Sequence, residues 1–142
     1  MFSRLFVNLP VQDLERSMAF FRRLNFRFDA CLNEARAACM ALSKNVYIVL
    51  LGKENAHLPL RTESGQPARM DADGQVIVTL PVESRAEVDD LVERALAAGG
   101  TPASGTLDFD CLYGRSFFDP DGNVWEIQWL SPPAAAGSSA QT

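Results

Sequence analysis

Apolar and polar positions alternate over residues 4–11, where Leu5, Phe6, Val7 and Val11 give a strand pattern that Pro10 and Gln12 end. Asp13 is placed to cap a helix whose apolar positions, Leu14, Met18, Phe21 and Leu24, recur at spacings of four and three. Arg16, Arg22 and Arg23 fall mostly on its other side. Short strands are predicted at 26–31, 36–42 and 46–51, the last reading VYIVLL, rich in β-branched and aromatic residues. Residues 52–74 change character: Gly52, Pro59, Gly65, Pro67 and Gly74 stand among polar groups and predict a long connection.

A second run then begins. Residues 75–82 predict a strand, and Ser84 followed by Glu87 is a capping-box signature. Val88, Leu91, Val92, Ala95 and Leu96 form the apolar stripe of a second helix, which Gly99-Gly100 stops. Strands are predicted at 102–106, 111–118 and 123–130, with Asp119-Pro120-Asp121-Gly122 as the turn joining the last two. The order strand, helix, three strands therefore occurs twice, and its openings are near-copies: LFVNLPV at 5–11 and VIVTLPV at 76–82, 71 residues apart. One helix covers only one face of a four-stranded sheet, so two copies can turn their open faces toward each other and enclose a cleft. This predicts one domain over 1–131, with module one at 3–51, a linker at 52–74 and module two at 75–130. The Pro/Ala/Ser-rich tail at 132–142 reads as disordered.

Charge and composition narrow the functions. Thirteen basic against 18 acidic residues give a net charge of −5, which argues against nucleic acid, where a basic face is needed. No apolar run approaches the roughly 18–20 residues of a membrane span, and the N-terminal residues lack a signal-peptide pattern. Three cysteines, Cys31, Cys39 and Cys111, none at CxxC spacing, read as reduced thiols of a cytoplasmic protein, acting as small buried hydrophobes. The single histidine, His57, lies in the predicted linker.

The doubled βαβββ pattern resembles the vicinal oxygen chelate superfamily of glyoxalases, bleomycin-resistance proteins and extradiol dioxygenases. The segments that carry the likeness are LFVNLPVQDLERSMAFFRRLNF, GQVIVTLPV and YGRSFFDPDGNVWEIQW, spanning about residues 3–130. The last looks most like the PhnB-like and uncharacterised glyoxalase-like branch. The resemblance implies an α+β fold in which two tandem βαβββ modules form a glyoxalase-like half-open barrel, commonly as a homodimer. It also implies where a metal would be held: in metal-dependent members four ligands, usually His and Glu, come from the first and last strand of each module. The matching positions here are Phe6, Val49, Ile77 and Glu126. Three are hydrocarbon, and one carboxylate alone does not hold a divalent ion. No metal and no cofactor are expected.

Strand alternation assigns a set of residues to the cleft. With Glu126 facing inward, Val124 and Gln128 follow on its strand, together with Phe6 and Asn8, Tyr47, Val49 and Leu51, and Ile77 and Thr79. This is an apolar face with a few polar groups, the usual make-up of a small-molecule site; a filled core is the alternative for the Phe, Val and Ile positions. Two readings stand for Glu126: it binds a cationic or hydroxylated ligand or acts as a general base, or it pairs structurally with Tyr113 or Arg115 of the adjacent strand. Arg115 itself is either a clamp for an anionic group or the partner of Asp119 or Asp121. Trp125 and Trp129, at the opposite parity, read as core. No Cys-His nucleophile is supported. The ligand-site set is thus Phe6, Asn8, Tyr47, Val49, Ile77, Thr79, Tyr113, Arg115, Glu126 and Gln128, and the catalytic candidate is Glu126. The reading is a metal-free protein binding a small molecule of unknown identity. The alternatives are an enzyme of lyase or oxidoreductase type using Glu126, and a dimeric domain with a vestigial cavity.

Overall fold

Two capped helices set the frame. The Asp13 side chain accepts a hydrogen bond from the Arg16 amide at 3.1 Å and starts α1, Leu14–Arg23. Ser84 accepts from the Glu87 amide at 3.1 Å, and the Glu87 carboxylate accepts from the Glu83 amide at 2.7 Å, so a capping box opens α2, Arg85–Ala97. Gly99 adopts φ +116° just past its end, and the Gly100 amide bonds back to the Ala95 carbonyl at 2.9 Å. These contacts are seen in a computed structural model that describes residues 2–29, 37–52 and 76–132. The predicted linker beyond Gly52, Cys31, His57 and nearly all of the predicted tail lie outside the described residues.

The strands are β1 Leu5–Pro10, β2 Arg27–Asp29, β3 Ala37–Ala41, β4 Val46–Leu51, β5 Ile77–Pro81, β6 Thr101–Pro102, β7 Leu107–Phe109, β8 Leu112–Phe118 and β9 Val124–Leu130. They form one sheet ordered β1-β4-β3-β2 and another ordered β5-β9-β8-β6, with β7 also paired to β8. In each module the first strand runs parallel to the last, and the other neighbours are antiparallel. No strand of one sheet pairs with a strand of the other, so two tandem βαβββ modules form mixed sheets that do not close into a barrel. The strand predicted at 102–106 is instead two short ones. Ser116 Oγ accepts from the Ser104 amide at 3.0 Å, a side chain replacing a ladder carbonyl, and the chain leaves the sheet at Ser104-Gly105 before rejoining at Leu107.

The repeat is exact in register. Asn8 lies beside Val49 as Thr79 lies beside Glu126, and the amides of Val11 and Val82 bond to the carbonyls of Leu51 and Gln128 at 2.9 and 2.8 Å. The helix-facing sides of both sheets share one core with α1 and α2. Phe20 packs against Phe117, and Phe21 against a fully buried Trp125. The opposite sides of the sheets therefore lie away from that core. On those sides Ala37, Cys39, Val49 and Leu51 form a separate small cluster, while Phe6 and Ile77 are 49% and 58% exposed. Among the described residues no helix is long and apolar enough to cross a membrane.

Candidate functional site

The face of the second sheet that turns away from the helices can be read off the ladders. Thr79 and Ser116 flank Glu126 on either side, and Val124 and Gln128 precede and follow it on β9. Around them on the same face lie Ile77, Gly114, Phe118 and Leu130, with Leu107 and Phe109 on β7. Ile77, Leu107, Phe109 and Leu130 are exposed. Among the described residues Glu126 is the one charged strand residue on this face. Thr79 Oγ1 donates to its Oε1 at 3.2 Å, and among the described residues no cation pairs with it. On the first sheet, Phe6, Asn8, Tyr47 and Val49 likewise share the side opposite the helices, with Arg27 at its far end. The Phe6 and Tyr47 rings stack at 5.1 Å.

Tyr113 and Arg115 do not join this set. Across the β8–β9 hairpin Tyr113 faces Trp129 and Arg115 faces Ile127, which places both on the helix side, opposite Glu126. There the Tyr113 hydroxyl donates to Asp89 Oδ1 at 2.6 Å, and Arg115 donates to Asp89 at 2.9 Å and Glu93 at 2.7 Å. The bond from Tyr113 and then the Arg115 charge hold the Asp89 carboxyl below its ordinary value, and that same bond raises the Tyr113 hydroxyl. Burial works against the Arg115 cation, but its bonds to Glu93 and Asp89 outweigh this and raise its pKa. Neither the expected pairing of Arg115 or Tyr113 with Glu126 nor that of Arg115 with Asp119 or Asp121 is formed. Arg85 completes the helix-side network, lying over the Tyr113 and Trp129 rings and donating to Asp108 at 2.8 Å and to the Phe109 carbonyl at 2.6 Å.

The register also settles which positions correspond between modules. Cys39 sits beside Val49 as Ser116 sits beside Glu126, so Ser116 rather than Cys111 is the counterpart of Cys39. Cys111 is exposed at the β7–β8 turn. Ser116, Leu107, Phe109 and Leu130 were not in the predicted set; counting outward from the DPDG turn places Ser116 opposite Glu126. The donor set does not suit a family-type metal: Phe6, Val49 and Ile77 carry no donor atom, and among the described residues no three His, Cys, Asp or Glu side chains gather as ligands.

Solved structures share this architecture. A hypothetical protein from S. aureus is 25% identical with a TM-score of 0.71, covering 92% of this chain and 95% of that one. A glyoxalase/bleomycin resistance protein/dioxygenase family enzyme from Burkholderia phytofirmans is 20% identical with a TM-score of 0.73, covering 88% and 96%. Lactoylglutathione lyase from Agrobacterium tumefaciens is 20% identical with a TM-score of 0.61, covering 88% and 91%. No curated protein matches the chain. A family model matches residues 5–127, nearly the whole of both modules, and on that match the chain belongs to the glyoxalase/bleomycin resistance protein/dioxygenase superfamily.

Proposed function

We propose that this chain binds a small organic molecule without metal, against the second sheet's open face, with Glu126 as its polar anchor. The observation that carries the reading is a contrast between aligned positions. Register equates Val49 with Glu126, and Phe6, Val49 and Ile77 are hydrocarbon, yet the fourth position keeps a carboxylate with a hydroxyl donor and, among the described residues, no cation. Such a group, ringed by exposed Ile77, Leu107, Phe109 and Leu130, suits a ligand with an apolar body and a cationic or hydroxyl group. The scaffold does not choose a chemistry, because the similar structures include a lyase and resistance proteins.

The reading includes a homodimer. Leu5 and Phe6 on β1, and Val76 and Ile77 at β5, are exposed large apolar residues at the sheet edges, which a second copy would cover.

The test is a thermal-shift screen with a panel of aromatic amines, polyols and phenols, repeated on Glu126→Gln. A ligand of the folded state at 100 times its Kd stabilises by about 2.7 kcal/mol, a shift of about 10 °C for a chain of this size. Upshifts in the native protein that vanish in Glu126→Gln support the reading. A panel without any upshift, or one tightly held divalent ion per chain by elemental analysis, sinks it.

A further inference from the structure

The two aspartates of the DPDG turn do different work. Asp119 holds its own hairpin: Oδ1 accepts from the amides of Asp121 and Asn123 at 2.9 and 3.0 Å, and Oδ2 from Asn123 Nδ2 and the Trp125 indole at 3.2 and 2.9 Å. Among the described residues the Asp121 carboxylate takes all its donors from the other module. Its Oδ1 accepts from the Gln12 amide at 2.8 Å and Arg16 Nη2 at 3.4 Å, and its Oδ2 from Ser17 Oγ at 2.8 Å. Its side chain is 5% exposed, and Ser17 is fully buried. These donors bracket the start of α1, where the helix dipole also favours a carboxylate.

From these contacts we infer that Asp121 is the positioning residue that sets the second module's last hairpin, and Glu126 five residues along it, at a fixed orientation to the first module. The shared core joins the modules, but apolar contact is non-directional, whereas three hydrogen bonds on one carboxylate select a single rotation. The repeat shows that the device is one-sided. The register equates Asp121 with Lys44, and Gln12, Arg16 and Ser17 with Glu83, Glu87 and Val88. Glu87 and Val88 have no side chain that can donate, and the Glu83 amide donates to the Glu87 carboxylate at 2.7 Å. The first module's turn is held locally instead, by Ser43 Oγ accepting from the amides of Asn45 and Val46. The inference concerns module orientation alone and stands whether or not the Glu126 face takes a ligand.

The experiment is solution NMR on the full chain: residual dipolar couplings and amide exchange for the native protein and for Ser17→Ala, Asp121→Ala and Asp119→Ala. In the native protein one alignment tensor should fit the amides of β3–β4 and β8–β9 together. In Ser17→Ala and Asp121→Ala each sheet should need its own tensor, rotated against the other. In Asp121→Ala the Gln12 amide should exchange roughly ten- to a hundred-fold faster, the scale of a lost bond to a charged group, with β8 and β9 unchanged. Asp119→Ala should instead speed exchange at Asp121 and Asn123, whose amides bond to its side chain. A single, unrotated tensor in both module-linking variants, with native exchange at Gln12 in Asp121→Ala, would overturn the inference. Should Asp121→Ala fail to fold, Ser17→Ala decides alone, since it leaves the turn and its Asp119 brace intact.

Discussion

Asp89 and Asp119 are carboxylates of one module moved in opposite directions by their surroundings. Burial raises Asp119, and the donors of Trp125, Asn123 and Asp121 only partly offset it. Its folded form keeps a proton at a pH where the unfolded chain has released one, so its titration lowers stability as pH rises above 3.8. Asp89 is lowered from 3.8, first by the Tyr113 hydroxyl. A depressed acid gives stability that is present above the unfolded value and lost as pH falls through the folded one, so its window lies below 3.8. Tyr113→Phe removes the largest cause. Because the Asp89 side chain is half exposed, the loss at neutral pH should be small, about 0.5 kcal/mol. The gap between native protein and variant should close as pH falls below 3.8. Urea unfolding at neutral and acid pH measures both values; a gap that stayed constant through the acid range would exclude Asp89 as its source.

At the scale of elements, the end of α2 depends on a close approach as well as on backbone freedom. A Cβ on Gly100 would meet the Phe118 carbonyl oxygen at 2.9 Å and the Ala95 carbonyl oxygen at 3.0 Å, both backbone atoms that cannot swing aside. Gly100→Ala should therefore push α2 from the end of β8 and cost about 1–3 kcal/mol. Gly105→Ala, with nothing within 4 Å, should be near neutral. Urea midpoints of the two variants compare them directly, and equal midpoints would refute the steric account. The Gly99-Gly100 stop, the caps at Asp13 and Ser84, and the DPDG turn were legible in the sequence because each is a local signal within four residues. The face of each residue on β9 was legible too, since alternation has a period of two. The errors lie where one strand must be related to another. Tyr113 and Arg115 were grouped with Glu126, although the turn sets Arg115 opposite Ile127. Ser104-Gly105 interrupts the strand predicted at 102–106 because Ser116, a residue distant in sequence, supplies the acceptor there.

For the whole molecule, the repeat fixes the architecture while its divergence sets the chemistry. Asn8 and Thr79 sit at one structural position, Phe6 and Ile77 at another, and Val49 and Glu126 at a third. A metal site at those positions needs donors from both modules, and the first module offers a ring and a branched alkane. The consequence is measurable in stability. A divalent ion bound at 100 times its Kd would contribute about 2.7 kcal/mol to the folded state. For a chain of this size roughly 4 °C accompanies each kcal/mol, so stripping such an ion would lower the melting temperature by about 10 °C. Dialysis against EDTA should instead leave the melting temperature unchanged, as should adding back Zn²⁺, Ni²⁺, Mn²⁺ or Fe²⁺ at micromolar levels. The comparison with Glu126→Gln makes the result specific. If a metal rise appears in the native protein and vanishes in Glu126→Gln, the carboxylate gathers ligands from outside these four positions and the metal-free reading falls. A metal rise that survives in the variant lies elsewhere on the chain. With no rise in either protein, Glu126 is left available to an organic ligand on a face where, among the described residues, its only partner is the hydroxyl of Thr79.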